Sequence, residues 1–357
     1  MNRVEETRYP EFIVSGTPRE MGRQLGEQAG ELVRRFCEIA LDSANRMACV
    51  SIEEAHRVSA ESMKHASRYA PHLMEEFVGI AESAKVSPLD LMLAQVRNQF
   101  TDDLENACTS FSASREFTLD GGGLLAQTWD ADPALDEVTI VLPRRPLGKP
   151  AYLSVGQAGL IGYMGVNEGG IGCAVNTLPA PSRGVGVPHY FSLRRIFEQS
   201  TLADAVEVLS QAYRAIPVNI MMATPEGPAN IEATPEQVYL LRDPDYLVHT
   251  NHCLHKDLVP LNEHFEELCQ SYSRLPRMTK LVEASNSQIG LEAIAEMFQD
   301  HDNFPGSICR HANPEDPVHG FIQTVFAMII EPEKGLLHIS RGTPCSAPFE
   351  TYCIQAC

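Results

Sequence analysis

Asn106-Ala107-Cys108-Thr109-Ser110-Phe111 marks the point where this chain changes character. Before it, apolar residues recur at helical spacing, ending in the acidic stretch Thr101-Asp102-Asp103-Leu104-Glu105-Asn106; after it come short apolar runs punctuated by glycine turns. The acidic stretch reads as an exposed loop, where a processing site is accessible. A cut just before Cys108 would make that residue N-terminal. A cysteine attacks carbonyls well only as a thiolate, and the freed α-amine would supply the base. The amine's ordinary pKa is ~7.7–8.0 against ~8.5 for a thiol, so near pH 7 some amine is free to take the thiol proton. Such a site needs no histidine. It needs a carboxylate to hold the ammonium, amide donors for the oxyanion and a cation to orient the group under attack.

Upstream, residues 11–15 read as a short strand. Thr17-Pro18-Arg19-Glu20 then supplies a cap, a first-turn proline and a capping-box glutamate, opening a helix that should run to about Leu41. A second capping box, Ser51-Ile52-Glu53-Glu54, opens another helix that Pro71 interrupts. Leu73, Phe77, Ile80 and Ala84 continue at helical spacing, and Ser87-Pro88 starts one more helix toward Phe100. Downstream, Asp120-Gly121-Gly122-Gly123, the run Val138 to Leu142 and the glycine-rich Gly156 to Val175 stretch predict sheet. Helical patterns recur over His189 to Tyr213, Ser273 to Glu283 and Gly290 to Gln299. Strands return at Thr324 to Glu331 and Leu336 to Arg341. Helices and strands in segregated blocks pack in layers, which is an α+β arrangement.

A formal charge of −19 argues against nucleic acid or an anionic membrane as partner, because phosphate binding needs clustered Lys and Arg. The first residues lack a signal-peptide pattern and no apolar run reaches the ~18 residues of a membrane helix, so a cytoplasmic enzyme is expected. Ten cysteines without any Cys-x-x-Cys pair do not form a disulfide framework; most read as small buried hydrophobes.

Three residues can supply the groups Cys108 needs. Asp130, after Trp129, lies just past a predicted hairpin that would carry its carboxylate back beside the cysteine. Asn251, in His249-Thr250-Asn251-His252-Cys253, follows a strand and offers an amide. Arg310, ending Ser307-Ile308-Cys309-Arg310, offers a guanidinium for a carboxylate. With Gly16-Thr17-Pro18-Arg19-Glu20-x-Gly22, Gln127-Thr128-Trp129-Asp130 and Gly165-Val166-Asn167-Glu168-Gly169-Gly170-Ile171-Gly172, these motifs resemble, in order and spacing, the acyl-coenzyme A:6-aminopenicillanic acid acyltransferases. That family, also called isopenicillin N acyltransferases, consists of self-cleaving N-terminal-nucleophile hydrolases.

The resemblance implies a four-layer αββα sandwich with two stacked antiparallel sheets, and autocatalytic cleavage between Ala107 and Cys108. Residues 1–107, mainly helical, would stay associated with residues 108–357 in one compact fold. It further implies that Cys108 is the nucleophile, Asp130 orients its α-amine, Asn251 stabilises the oxyanion and Arg310 supports the site. Asn176, Thr109, His252 and Ser307 would support the oxyanion or the substrate. Position 107 is alanine where the penicillin-forming enzyme has glycine.

The implied activity is cleavage or transfer of an amide-linked acyl group through an acyl-cysteine, as N-acyl amidohydrolase or acyl-coenzyme A-dependent N-acyltransferase. Its partners would be a small N-acyl substrate and the chain's own cleaved fragment. No cofactor and no metal are expected, with a coenzyme A thioester entering only as substrate. Two alternatives remain open. One is a metal-dependent hydrolase using His249, His252, Cys253 and His255, imidazole and thiolate being good zinc ligands; the other is a binding protein that never cleaves itself. The glycines from Gly156 to Gly172 carry no Walker lysine and open no helix, so they are expected to serve turns and close sheet approach rather than a nucleotide.

Overall fold

A computed structural model describes residues 7–46, 50–100, 107–264, 269–285, 289–317 and 319–355. The acidic stretch 101–106 lies outside the described residues. Strand β1 (Val14–Gly16) is followed by α1 (Pro18–Arg46), α2 (Ile52–Tyr69), α3 (Pro71–Ala84) and α4 (Pro88–Val96). The predicted caps hold: the Thr17 amide donates to Glu20 Oε2 at 2.8 Å and the Glu54 amide to Ser51 Oγ at 3.2 Å. Helix α1 runs past Leu41, with a kink at Ala29.

Then come β2 (Ala107–Ala113), β3 (Leu124–Ala131), β4 (Thr139–Pro146), β5 (Tyr152–Gln157), β6 (Met164–Asn167) and β7 (Gly172–Thr177). Helices α5 (His189–Ile196) and α6 (Leu202–Ser210) replace the single helix expected over His189 to Tyr213. Thr201 separates them, because its extended backbone and its Oγ1, accepting from the Asp204 amide at 3.1 Å, start α6 anew. The remainder is β8 (Val218–Thr224), β9 (Gly227–Ala233), β10 (Val238–Arg242), β11 (Tyr246–His249), α7 (Ser271–Ala284), α8 (Leu291–Met297), β12 (Gln323–Glu331), β13 (Leu336–Arg341) and β14 (Glu350–Cys353).

The strands form two sheets. One, of eight strands, has the order β1-β4-β5-β6-β7-β8-β9-β10; the other, of six, has the order β11-β2-β3-β12-β13-β14. All pairings are antiparallel except that of β1 with β4. The sheets stack face to face, β2 and β3 lying against β7 and β8. A single core extends from α1, α3 and α4 through the eight-stranded sheet to Trp129 and Cys108 on the inner face of the other sheet. A second core, with Phe111, Met278, Val282 and Ile294, fills the space between that sheet's outer face and α7 and α8. The result is the four-layer αββα sandwich.

Glycine sets how closely these layers approach. A Cβ on Gly172 would sit 3.1 Å from Leu125 Cδ2 of the opposing sheet. The α1/α3 crossing is tighter, since a Cβ on Gly22 would lie 2.0 Å from the Glu76 carbonyl oxygen. That closeness positions a buried network: Arg144 Nε of β4 donates to Glu76 Oε1 at 2.9 Å, and Arg194 Nη1 of α5 donates to Glu198 Oε1 at 2.9 Å. Gly22→Ala is therefore expected to destabilise the protein by about 1–3 kcal/mol through overpacking. Urea unfolding checks this, and an unchanged midpoint would show that the two helices part freely.

Candidate active site

Cys108 is the second residue of β2, an interior strand whose seven residues are all buried. Its neighbours are fixed by register. On one side β3 sets Ala107 opposite Asp130 and Cys108 opposite Trp129. On the other, β11 pairs His249 with Ser110 and then stops. Two residues further on, Asn251 comes opposite Cys108, and its side chain takes over from the missing strand: Cys108 N donates to Asn251 Oδ1 at 2.9 Å.

Side chains alternate across a pleated strand, so Cys108 and Trp129 face the space between the sheets while Ala107 and Asp130 face α7. Asp130 thus lies beside the Ala107–Cys108 peptide rather than behind the thiol. Its Oδ1 accepts from Thr324 Oγ1 at 2.7 Å, and its Oδ2 lies 3.4 Å from Arg310 Nε. Thr324 Oγ1 also accepts the Arg310 amide at 3.0 Å, which joins the three residues. Arg310 Nη2 reaches back to the Cys269 carbonyl and to Gln270 Oε1, each at 2.7 Å.

Sequence reasoning missed Arg274. Fully buried on the first turns of α7, it donates from Nη1 to the Cys108 carbonyl at 2.6 Å and to Thr109 Oγ1 at 2.8 Å, and from Nη2 to Asn251 Oδ1 at 2.8 Å. One signal pointed to it: Arg274 shares the helix's buried stripe with Ser271, Met278 and Val282, and a charge on a core face needs a partner. Ser271 completes the frame, its Oγ accepting the Asn251 amide at 2.7 Å and lying 2.7 Å from His252 Nδ1.

The remaining candidates stand further out. Asn176 on β7 donates from Nδ2 to the Thr250 carbonyl at 2.8 Å and accepts from Gln127 Nε2 at 3.4 Å, tying the two sheets together beside Cys108. Thr109 receives Arg274. His252 acts on Asn251 only through Ser271, and Ser307 donates to the Cys309 carbonyl at 2.6 Å, bracing the segment that carries Arg310. The Asn251 Nδ2 donates to Thr177 Oγ1 at 2.9 Å, so in the intact chain its oxygen faces the cysteine.

His249, His252, Cys253 and His255 do not converge. His249 Nε2 meets Glu232 Oε1 at 2.8 Å, the Cys253 thiol faces the Pro179 carbonyl, and His255 stacks on Tyr239 at 3.9 Å between ring centres. With each side chain turned to a different partner, they form no shared metal cage, and the metal-hydrolase alternative at this cluster is not favoured.

Burial pushes the Cys108 thiol up, the Asp130 charge adding to the effect while Arg274 opposes it. Burial likewise raises Asp130 against the pull of Arg310 and Arg274, and lowers Arg310. His252 is pushed down to about 4, chiefly by burial, and so is neutral near pH 7. The groups that act most on Cys108 are Asp130, Arg274, Cys269 and Gln127, with no histidine among them. In the uncut chain the thiol is therefore protonated and has no imidazole base. Ala107, Cys269, Gln270, Arg310 and His311 border a cavity of about 350 Å³. Among the described residues no helix is long and apolar enough to cross a membrane.

Residues 118–345 match the family model of acyl-coenzyme A:6-aminopenicillanic acid acyl-transferase. Over 289 residues the chain is 29% identical to the acyl-coenzyme A:6-aminopenicillanic-acid-acyltransferase 40 kDa form of Emericella nidulans, covering 79% of this chain and 78% of that protein. Among solved structures, a mutant conjugated bile acid hydrolase from Clostridium perfringens aligns with a TM-score of 0.46 and 16% identity, over 69% of this chain and 96% of the other. Penicillin V acylase from Agrobacterium tumefaciens aligns at 0.42 and 14%, over 66% and 83%. The family match takes in Asp130, Asn251, Arg274 and Arg310 and begins just after Cys108. This chain belongs to the acyl-coenzyme A:6-aminopenicillanic acid acyl-transferase family.

Proposed function

We propose that the chain cleaves itself between Ala107 and Cys108 and then works as a cysteine N-terminal-nucleophile enzyme on amide-linked acyl groups. The observation that carries this is what borders the Ala107–Cys108 peptide: Cys108 N donates to Asn251 Oδ1, and Asp130 is the cross-strand partner of Ala107. The Cys108 nitrogen becomes the α-amine after cleavage.

In self-cleavage the Cys108 sulfur attacks the Ala107 carbonyl, the peptide C–N bond breaks, and the thiol proton passes to the leaving amine. Water then hydrolyses the thioester, leaving the Ala107 carboxylate and a free Cys108 thiol. In turnover the amine takes the thiol proton, the thiolate attacks a substrate acyl carbonyl, the substrate C–N bond breaks as the α-ammonium returns that proton to the leaving amine, and an acyl-cysteine remains. Cleavage frees the Asn251 side chain from the peptide N–H it accepts, so that its Nδ2, held by Thr177 in the intact chain, can turn to the developing oxyanion beside Arg274. Water then releases the acid, or an amine takes the acyl group; a coenzyme A thioester can serve as acyl donor. This chemistry uses no cofactor.

The small fragment has ample reason to stay. Tyr9 N donates to Tyr352 Oη at 2.7 Å, Tyr9 Oη donates to Asp136 Oδ1 at 2.7 Å, and Glu76 neutralises Arg144 in the core. Displacing Ala107 would expose the new amine to the cavity that this residue borders.

Denaturing mass spectrometry is expected to show wild type as two species, residues 1–107 and 108–357, and Cys108→Ala as one species of 39.4 kDa. Wild type that stays intact on long incubation would overturn the proposal. In the processed enzyme kcat/KM should rise with pH through the amine's range, ~7.7–8.0, because the ammonium cannot accept the thiol proton. Asp130→Asn removes the negative charge that favours the ammonium, so this limb should move to lower pH; a limb that stays in place would count against Asp130 acting on the amine.

A further inference from the structure

We propose that His301, Cys309, His311 and Cys345 form a structural zinc(II) site behind Arg310. The ligand atoms of these four side chains all lie within 4.8 Å of one another, and among the described residues they are the sole grouping of this kind. His311 Nε2 is the hub, 3.0 Å from His301 Nε2 and 3.6 Å from the sulfurs of both Cys309 and Cys345. A tetrahedral zinc with bonds of ~2.0–2.1 Å to nitrogen and ~2.3 Å to sulfur separates a nitrogen from a sulfur by about 3.6 Å and two nitrogens by about 3.4 Å. The three distances from His311 match these within about 0.4 Å, and the other ligand atoms lie within 4.8 Å of one another, close enough for one ion to draw them in. Two thiolates and two imidazoles in a tetrahedron favour zinc over harder divalent ions, and four protein ligands close the site to water, which makes its role structural.

The backbone around the cluster is held independently of any metal. Arg277 Nε donates to both carboxylate oxygens of Asp300 at 3.0 Å, and the Asp300 carbonyl accepts the Cys309 amide at 3.0 Å. The Phe304 amide reaches the His301 carbonyl and the His311 amide the Pro305 carbonyl, both at 3.0 Å. Cys345 comes from elsewhere, the connection after β13, so a metal would tie that connection to this loop.

The spacing Cys309-Arg310-His311 gives the site its consequence. Cys309 and His311 both turn to the cluster, while Arg310 between them reaches Asp130. A metal held by the residues on either side would fix the arginine's backbone and, through it, the carboxylate. Asn303, Pro305, Gly306 and His311 also border the 350 Å³ cavity, so the same loop shapes its wall. No Cys-x-x-Cys pair announced this cluster in the sequence, where the expectation was of no metal. The inference rests on the cluster's geometry and not on self-cleavage.

The test is metal analysis of full-length protein expressed with zinc and freed of loose ions by gel filtration. Wild type should retain one zinc per chain, with Cys309→Ser and Cys345→Ser each losing at least about tenfold of it. Cys253→Ser, outside the cluster, should keep it. Cobalt exchanged into wild type should show thiolate-to-cobalt charge-transfer bands. His301→Ala changes an exposed residue, so it separates metal loss from misfolding: it should also lose zinc while keeping its far-ultraviolet circular dichroism. Wild type without zinc, cobalt without thiolate bands, or a Cys309–Cys345 disulfide in the purified protein would each overturn the proposal.

Discussion

The register of β2 is the constraint on which the rest of the site depends. Because the side-chain period of a strand is two, a slip of one residue would turn Cys108 toward α7 and take Asp130 out of line with the Ala107–Cys108 peptide. Several contacts resist that slip. The Asn251 side chain holds the Cys108 amide where β11 has ended, Arg274 holds the Cys108 carbonyl, and a bulge between Thr324 and Phe326 lets β12 place Thr324 against Asp130. The cysteine's own nitrogen and carbonyl are thus both held by side chains brought from other elements, so the backbone at this point is located without a complete ladder on both sides.

Charge follows from the same geometry. One buried carboxylate, Asp130, faces two buried guanidiniums, those of Arg274 and Arg310. Taking such charges out of water costs several kcal/mol each, and only close pairing and hydrogen bonds offset it. Asp130 accepts from Thr324 through Oδ1 and faces Arg310 Nε across 3.4 Å through Oδ2, while Arg274 directs its donors at the Cys108 carbonyl, Thr109, Asn251 and the Cys269 carbonyl. The surplus positive charge lies around the Cys108 carbonyl and the Asn251 oxygen. It opposes the effect of burial on the thiol, and it favours any oxyanion formed there.

Much of this was legible in the sequence because it is local. The capping boxes at Thr17 and Ser51 announce helices through contacts three residues apart, and the Gly121-Gly122-Gly123 turn announces the hairpin that brings Asp130 back to Ala107. What was hidden depends on contacts far apart in the chain. Arg274 reads as an ordinary helical arginine until α7 is laid on β2, 165 residues away from Thr109 in sequence. The cluster of His301, Cys309, His311 and Cys345 draws on a loop and a distant connection, whereas His249, His252, Cys253 and His255 are close in sequence yet point to separate partners. Proximity along the chain therefore suggested the wrong set of ligands.

The same distinction bears on what a cut at Ala107 would leave behind. A break in the backbone is tolerable where the parts are joined by contacts that do not pass through it. Here β1 pairs with β4, Tyr9 is bonded to Tyr352 and Asp136, and α3 places Glu76 against Arg144 inside the core. Separating the fragments would strand Arg144 without its carboxylate partner, and leaving a buried charge unpaired costs about 3–5 kcal/mol. It would also expose the apolar face that α1, α3 and α4 share with the eight-stranded sheet. The Glu76–Arg144 pair and the helical face lie on the side of the eight-stranded sheet away from α7, and Tyr9 reaches β14 at the far edge of the other sheet. The fold thus joins the elements before Ala107 to those after Cys108 through pairings, hydrogen bonds and core packing that do not pass through the peptide between them.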